Sequence, residues 1–315
     1  MAALYPLLLE PDFRERVWGA RDLAPIYDRH VEPGGQPIGE VWLTGDDCRV
    51  ANGPLRGRTL AELAREYGRD LVGAQAPQPD RFPLLVKFLF PRDKLSVQVH
   101  PDDETARRMG QPCGKNECWY VLDADPGAQV AVGLKPGTTR ADFEQAIQQT
   151  RAEELLNWIE VHPGDMIYVD AGTVHAIGPG SILVETQQNS DTTYRLYDYG
   201  RRRELHVREG LAAMKERTRA GRVHDKWVDG HLRLIESPCF AVDKLALEKD
   251  QLYAGTPARN SVQVLVGLDG CGIVETPGEP PVTMARGDAV VIPASGPSFR
   301  LRPQWNLEVL NVTLP

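Results

Sequence analysis

Two histidines and a glutamate far apart in the chain, His100, Glu117 and His175, are of the types that hold a divalent cation, with Gln98 as a candidate fourth ligand. Imidazole nitrogen and carboxylate oxygen together suit zinc. Three protein ligands leave a coordination position open to substrate or water, which is the arrangement of a catalytic rather than a structural site. Taken singly, each is an ordinary polar residue, and only convergence of all three would make a site.

The local pattern indicates how they could converge. From Leu95 the run Leu-Ser-Val-Gln-Val-His-Pro-Asp-Asp alternates, so a strand would project Ser96, Gln98 and His100 to one face. Pro101 removes a ladder donor directly after His100 and puts the imidazole at the strand's end. Glu117 follows in Gly-Lys-Asn-Glu-Cys-Trp-Tyr-Val, where turn chemistry runs into an aromatic strand with Lys115 and Glu117 on one side. His175 follows a glycine-rich turn and opens another strand.

Around these strands the composition points to β structure. With 29 Gly and 25 Pro among 315 residues, breaks are too frequent for a helical bundle. Short strands are expected at residues 97–99, 166–169, 182–185, 262–266, 273–275, 289–292 and 307–312. Helices are expected at 58–72, where Thr59 and Glu62 form a capping box, at 139–161 with Thr139 as cap, and at 206–219, interrupted by Gly210. The segment from His162 to His175 and that from Ala285 to Ser298 both read Gly-Asp, four largely apolar residues and a small-residue turn. Aligning Gly164 with Gly287 sets His175 opposite Ser298. Two related β units follow, residues 1–235 with the metal chemistry and residues 236–315 without ligands.

Several function classes are excluded by charge and cysteine use. Lys plus Arg total 36 against 44 Asp plus Glu, a net charge of -8, which argues against nucleic acid or an anionic membrane surface as partner. The five cysteines are scattered without a C-x-x-C pair, so neither a disulfide framework nor a thiolate zinc knuckle is expected. Cys113 and Cys118 flank Glu117 but have no neighbouring histidine, and a nucleophile is rejected; His162 and His206 are read as structural. No signal-peptide pattern or long apolar run is present, and a cytoplasmic protein is expected.

The motifs then become specific. Gly164 to His175 fits a cupin signature, with Asp170 where Pro is usual. Gln98-Val99-His100-Pro101-Asp102-Asp103 followed by Gly114-Lys115-Asn116-Glu117-Cys118-Trp119-Tyr120 resembles the metal-site signature of type I mannose-6-phosphate isomerases in their short bacterial form. Trp18-Gly19, the run from Val50 to Leu55 and Asn189-Ser190-Asp191-Thr192-Thr193-Tyr194-Arg195-Leu196-Tyr197-Asp198 match as well. The resemblance covers roughly residues 5 to 210. It implies a mainly β fold: a cupin jelly-roll barrel, a degenerate cupin-like second unit and a few added helices. It also implies one zinc per chain on Gln98, His100, Glu117 and His175, a phosphorylated hexose as substrate, and a monomer or weak homodimer. Arg195 matches the family's catalytic arginine, Lys94, Ser96 and Lys115 match pocket positions, and Glu185 matches an acidic one. The chain departs from the long form at Ile177, where a Tyr is usual, and in the 58 residues from Glu117 to His175, too few for the long form's helical insertion.

Aldose–ketose isomerisation moves a proton from C2 to C1 through an enediol or enediolate, so negative charge builds on oxygen. A metal and the permanently charged Arg195 would each offset it. A carboxylate whose pKa rises in a dry pocket would serve as base, and Glu185 is the candidate, with support of Arg195 or of a ligand histidine as its alternative role. Lys94 and Lys115 would hold phosphate or assist ring opening. An iron dioxygenase on the same ligands and a non-catalytic sugar-binding cupin remain as competing readings.

Overall fold

The computed structural model describes residues 3–228, 230–256 and 261–315. Three antiparallel sheets form its framework, with far more residues in strands than in helices, in agreement with the mainly β expectation. A seven-stranded sheet runs in the order Gly221–Val223, Met166–Val169, Glu117–Ala124, Ser181–Gln188, Leu84–Leu89, Ile38–Trp42, Asp12–Ala20. A five-stranded sheet runs Tyr194–Tyr197, Val97–Val99, His175–Ile177, Gln129–Leu134, Leu156–Glu160. The nine-stranded sheet is built from Lys226–Val228 onward, with Leu7–Leu8 added at one edge.

Alternation of side chains dictates the layering. Val121, Ile167 and Leu183 on one face of the seven-stranded sheet meet Val130, Val132 and Ile177 of the five-stranded sheet in a shared core. On the opposite face Phe88, Tyr120 and Val184 pack with Val242, Val264 and Val312 of the nine-stranded sheet. The seven-stranded sheet is thus covered on both sides, and Leu84–Leu89 is buried at every position. Its single charged residue, Lys87, is therefore conspicuous.

The helix at 58–72 forms as two pieces, Leu60–Tyr67 and Arg69–Val72, with the Thr59–Glu62 capping box in place and a break at Gly68. The expected helix at 139–161 is shorter. Thr139 and Asp142 cap Arg140–Gln148, Thr150 adopts φ 58°, and Ala152–Leu155 is a 3-10 turn leading into the strand Leu156–Glu160. Pairing of Ile159 with Val130 and of Trp158 with Ala131 outweighs the helical spacing. The third helix covers only Val207–Ala213. Gly210 stays inside it because a Cβ there would lie 2.5 Å from Leu196 Cδ2, so the missing side chain lets helix and strand approach. The short strands expected at 262–266 and 273–275 are one strand, Gln263–Glu275, and 307–312 is the end of Phe299–Thr313.

The two Gly-Asp segments share one backbone pattern. Gly164 and Gly287 both have positive φ, 95° and 87°. The Gly164 amide donates to Val121 O and the Val121 amide to Asp165 O; Gly287 and Gly267, and Gly267 and Asp288, are joined in the same way. Asp165 and Asp288 each accept an amide from three residues earlier, at 2.8 Å in both cases. Counting four residues back from Val121 and from Gly267 sets Glu117 against Gln263, which pair with Val169 and Ile292 respectively. Where the first copy has a carboxylate, the second has an amide.

At Gly267 a Cβ would stand 2.1 Å from Ala285 O and 2.9 Å from Ala285 C, both backbone atoms that cannot swing aside. Gly267→Ala is therefore expected to lower stability by about 2 kcal/mol or more in urea unfolding. An unchanged midpoint would show that the strand pair is not locked at this point.

Candidate metal centre

His100 lies just beyond Val97–Val99, His175 opens His175–Ile177 and Glu117 opens Glu117–Ala124. In the five-stranded sheet, His175 stands opposite Gln98, and Gln98 opposite Arg195. Glu117 comes from the facing seven-stranded sheet. One donor atom of each of His100, Glu117 and His175 falls within 4.8 Å of the other two, the one such group among the described residues. His100 Nε2 is 3.4 Å from Glu117 Oε2, and His175 Nε2 is 3.3 Å from Glu117 Oε1. All three side chains are fully buried.

Backbone carbonyls fix the tautomers. His100 Nδ1 lies 2.9 Å from Thr192 O and His175 Nδ1 lies 2.9 Å from Thr173 O. A carbonyl only accepts, so each Nδ1 carries the proton and each Nε2 turns a lone pair toward Glu117. Burial, and then the Lys115 charge, hold the His100 pKa well below its ordinary value. Burial lowers that of His175 to about 4. Both rings are neutral near pH 7, the state a metal requires. Burial raises the pKa of Glu117 against the pull of Lys115, and its Oε1 has no hydrogen-bond partner. Two aimed lone pairs and an unpartnered buried carboxylate oxygen fit a divalent cation. Gln98 Nε2 is 3.2 Å from His175 Nε2, so its amide borders the same point.

Beside the cluster opens a cavity of about 400 Å³. Lys115 is buried at its edge, with Nζ 2.6 Å from Glu117 Oε2 and 2.9 Å from His100 Nε2. Ser96 lines it and donates to Gln98 Oε1 at 3.1 Å. Arg195 lines it half-buried; one guanidinium nitrogen donates to Glu204 O at 2.8 Å, while Nε is buried without a partner. Arg16 and Arg203 also face the cavity.

Three expectations need correction. Glu185 does line the cavity, yet its pKa is not raised. Burial alone would push it up, but Lys87, with Nζ 2.7 Å away, and then Lys115 pull it down to about 2. Lys94 does not reach the cavity: its ammonium lies 3.0 Å from Glu153 beside Trp158 and Tyr199, in a separate hollow. His206, read as structural, lines the cavity, and its Nδ1 accepts the Arg195 amide at 3.4 Å. Lys87 and Glu40 had not been singled out. The signal available for Lys87 was a lone lysine inside Leu-Leu-Val-Lys-Phe-Leu, where a buried charge needs partners.

A model of the phosphomannose isomerase type I catalytic domain matches residues 7–143. The mannose-6-phosphate isomerase ManA of Bacillus subtilis is 37% identical over 311 residues, 94% of this chain and 95% of that protein. The mannose-6-phosphate isomerase of Streptococcus mutans is 33% identical over 319 residues, 97% of each chain. Among solved structures, the crystal structure of the Bacillus subtilis mannose 6-phosphate isomerase agrees with a TM-score of 0.85 at 30% identity, over 98% of this chain and 99% of that one.

Since Glu185 falls from its ordinary 4.5 to about 2, its contribution to stability is complete above pH 4.5 and is lost as pH falls toward 2. Glu185→Gln leaves Lys87 with a weaker set of anions and is expected to cost about 3 kcal/mol near neutral pH. That deficit should shrink below about pH 4.5 in urea titrations run at several pH values. A pH-independent deficit would contradict the assignment.

Proposed function

This chain belongs to the type I mannose-6-phosphate isomerases, and from that premise we propose that it interconverts mannose 6-phosphate and fructose 6-phosphate with one zinc held by His100, Glu117 and His175, Gln98 completing the set once its amide turns its oxygen, rather than its nitrogen, toward His175. The observation that carries the reading is the convergence of three buried donors within 4.8 Å around an unpartnered Glu117 Oε1. Bound there, zinc would polarise a substrate oxygen on which enediolate charge builds.

The rest falls to the chain's own groups. Arg195 carries an Nε without a protein partner and remains charged, so it offers donors to the developing anion. Lys115 places a second positive charge beside Glu117 and assists ring opening. Ser96 bonds a sugar or phosphate oxygen, and Arg203, not Lys94, supplies charge for a phosphate.

Glu185 is assigned the proton that leaves C2 and returns at C1. A carboxylate held near 2 is a weak base by itself. Its ion pair with Lys87 compensates: as Glu185 takes the proton, Lys87 loses its nearest anion and becomes a better donor to the substrate oxygen. Net charge in the cavity is conserved, and return of the proton to C1 restores the pair. Metal chemistry is confined in this reading to residues 1–235. Residues 236–315 serve as a cupin-like unit without ligands, with Gln263 where the first copy has Glu117.

The test is a coupled assay for fructose 6-phosphate formation from mannose 6-phosphate. Chelation is expected to abolish turnover and added zinc to restore it, while His175→Ala should lower activity by more than about a hundredfold and reduce the bound zinc. Full turnover by metal-free protein would overturn the assignment.

A further inference from the structure

Glu40 is a buried carboxylate at the cavity wall that no step above employs. It comes from Ile38–Trp42, the strand that pairs with Leu84–Leu89 and brings Trp42 opposite Lys87. Its oxygens are closely held. Arg16 Nε donates to Oε1 at 3.0 Å and Arg16 Nη2 to Oε2 at 2.9 Å, while Trp42 Nε1 donates to Oε2 at 2.7 Å. The same Oε2 lies 3.9 Å from Lys87 Nζ. Glu40 therefore stands between two cavity cations, Arg16 and Lys87, and is the second anion beside Lys87 after Glu185.

That second anion has a consequence for the proton transfer. Lys87 is fully buried, and a buried cation stripped of its anion is strongly disfavoured. When Glu185 is protonated its charge is gone, and Lys87 would have to turn away or lose its proton out of step with the substrate. Glu40 cannot relax toward solvent, because Arg16 grips it in a two-bond fork and Trp42 fixes its remaining direction.

We propose that Glu40 is a positioning residue for the isomerisation: it keeps Lys87 Nζ in place at the moment Glu185 carries the substrate proton. The inference rests on the catalytic reading given above, and it extends the proton-handling group from two side chains to three, Glu185, Lys87 and Glu40. Burial opposes ionisation of Glu40, but Lys87 and Arg16 outweigh it and lower its pKa, so its charge persists through the working range.

A double-mutant cycle on the zinc-loaded enzyme decides the matter. With mannose 6-phosphate, Glu40→Gln is expected to lower kcat about tenfold while KM stays within about twofold, since a group acting on the transition state alone moves kcat. In a Lys87→Met background the same change should alter kcat by less than about twofold, because the cation it positions is absent. Glu40→Asp, which retains the charge, should recover most of the loss. Should Glu40→Gln fail to fold in thermal melts, Trp42→Phe, which removes one donor to Oε2, takes its place in the cycle; a loss of about threefold is then expected with Lys87 present and none without it. Equal losses in both backgrounds, or a loss carried by KM, would overturn the role of Glu40 while leaving the isomerase reading intact. A zinc-loaded wild type with no turnover would overturn the isomerase reading itself.

Discussion

The constraint on which the site depends is that charge buried between two sheets must be matched at close range. Glu117, Glu185, Glu40, Lys87 and Lys115 all lie almost completely inside the protein. An isolated ion in such a place would cost several kcal/mol after relaxation. They are tolerated because each anion meets a cation: Glu117 meets Lys115 at 2.6 Å, Glu185 meets Lys87 at 2.7 Å, and Glu40 meets the Arg16 fork. The strands that deliver them are fixed by apolar cores on both faces of the seven-stranded sheet, so the matching is built into the register.

Neighbouring strands of that sheet carry two carboxylates to opposite fates. Glu185 is held far below the ordinary range by Lys87, whereas burial dominates at Glu117 and raises it despite Lys115. The unpartnered Glu117 oxygen, Oε1, faces His175 while Oε2 faces His100, and both imidazoles have their protons committed to backbone carbonyls, those of Thr192 and Thr173. One carboxylate is thereby committed to ion pairing, and the other keeps an oxygen that could hold a cation. Their surroundings thus push two chemically identical groups apart in protonation, which is what the proposed division of tasks requires.

The second copy of the Gly-Asp turn shows what the scaffold is without this chemistry. The backbone bonds of the turn are reproduced between Gly287, Gly267 and Asp288. The place of Glu117 is taken by Gln263, whose amide nitrogen bonds Thr256 O at 2.8 Å. A neutral amide satisfied by the backbone needs no compensating lysine and offers no anionic ligand. Turn geometry and the presence of a candidate metal ligand are therefore separable properties of the same strand pair.

Much of this could be read from the residues alone. Alternation placed Ser96, Gln98 and His100 on one face, the caps at Thr59 and Thr139 fixed two helix starts, and the Gly-Asp pairs marked the repeat, because these are local consequences of backbone geometry. The family motif named Arg195, Lys115 and Glu185, all of which border the cavity. Local pattern could not say that Leu156–Glu160 is a strand, since that depends on a partner 22 residues or more away in sequence. Nor could it say that Lys94 turns to Glu153, that Lys87 pairs with Glu185, or that Glu40 stands between Arg16 and Lys87. What a residue is and which way it points along its own strand were set by the sequence; which charge it meets, and hence its protonation and its task, was decided only when sheets distant in sequence closed on one another, because Coulomb interaction depends on separation in space.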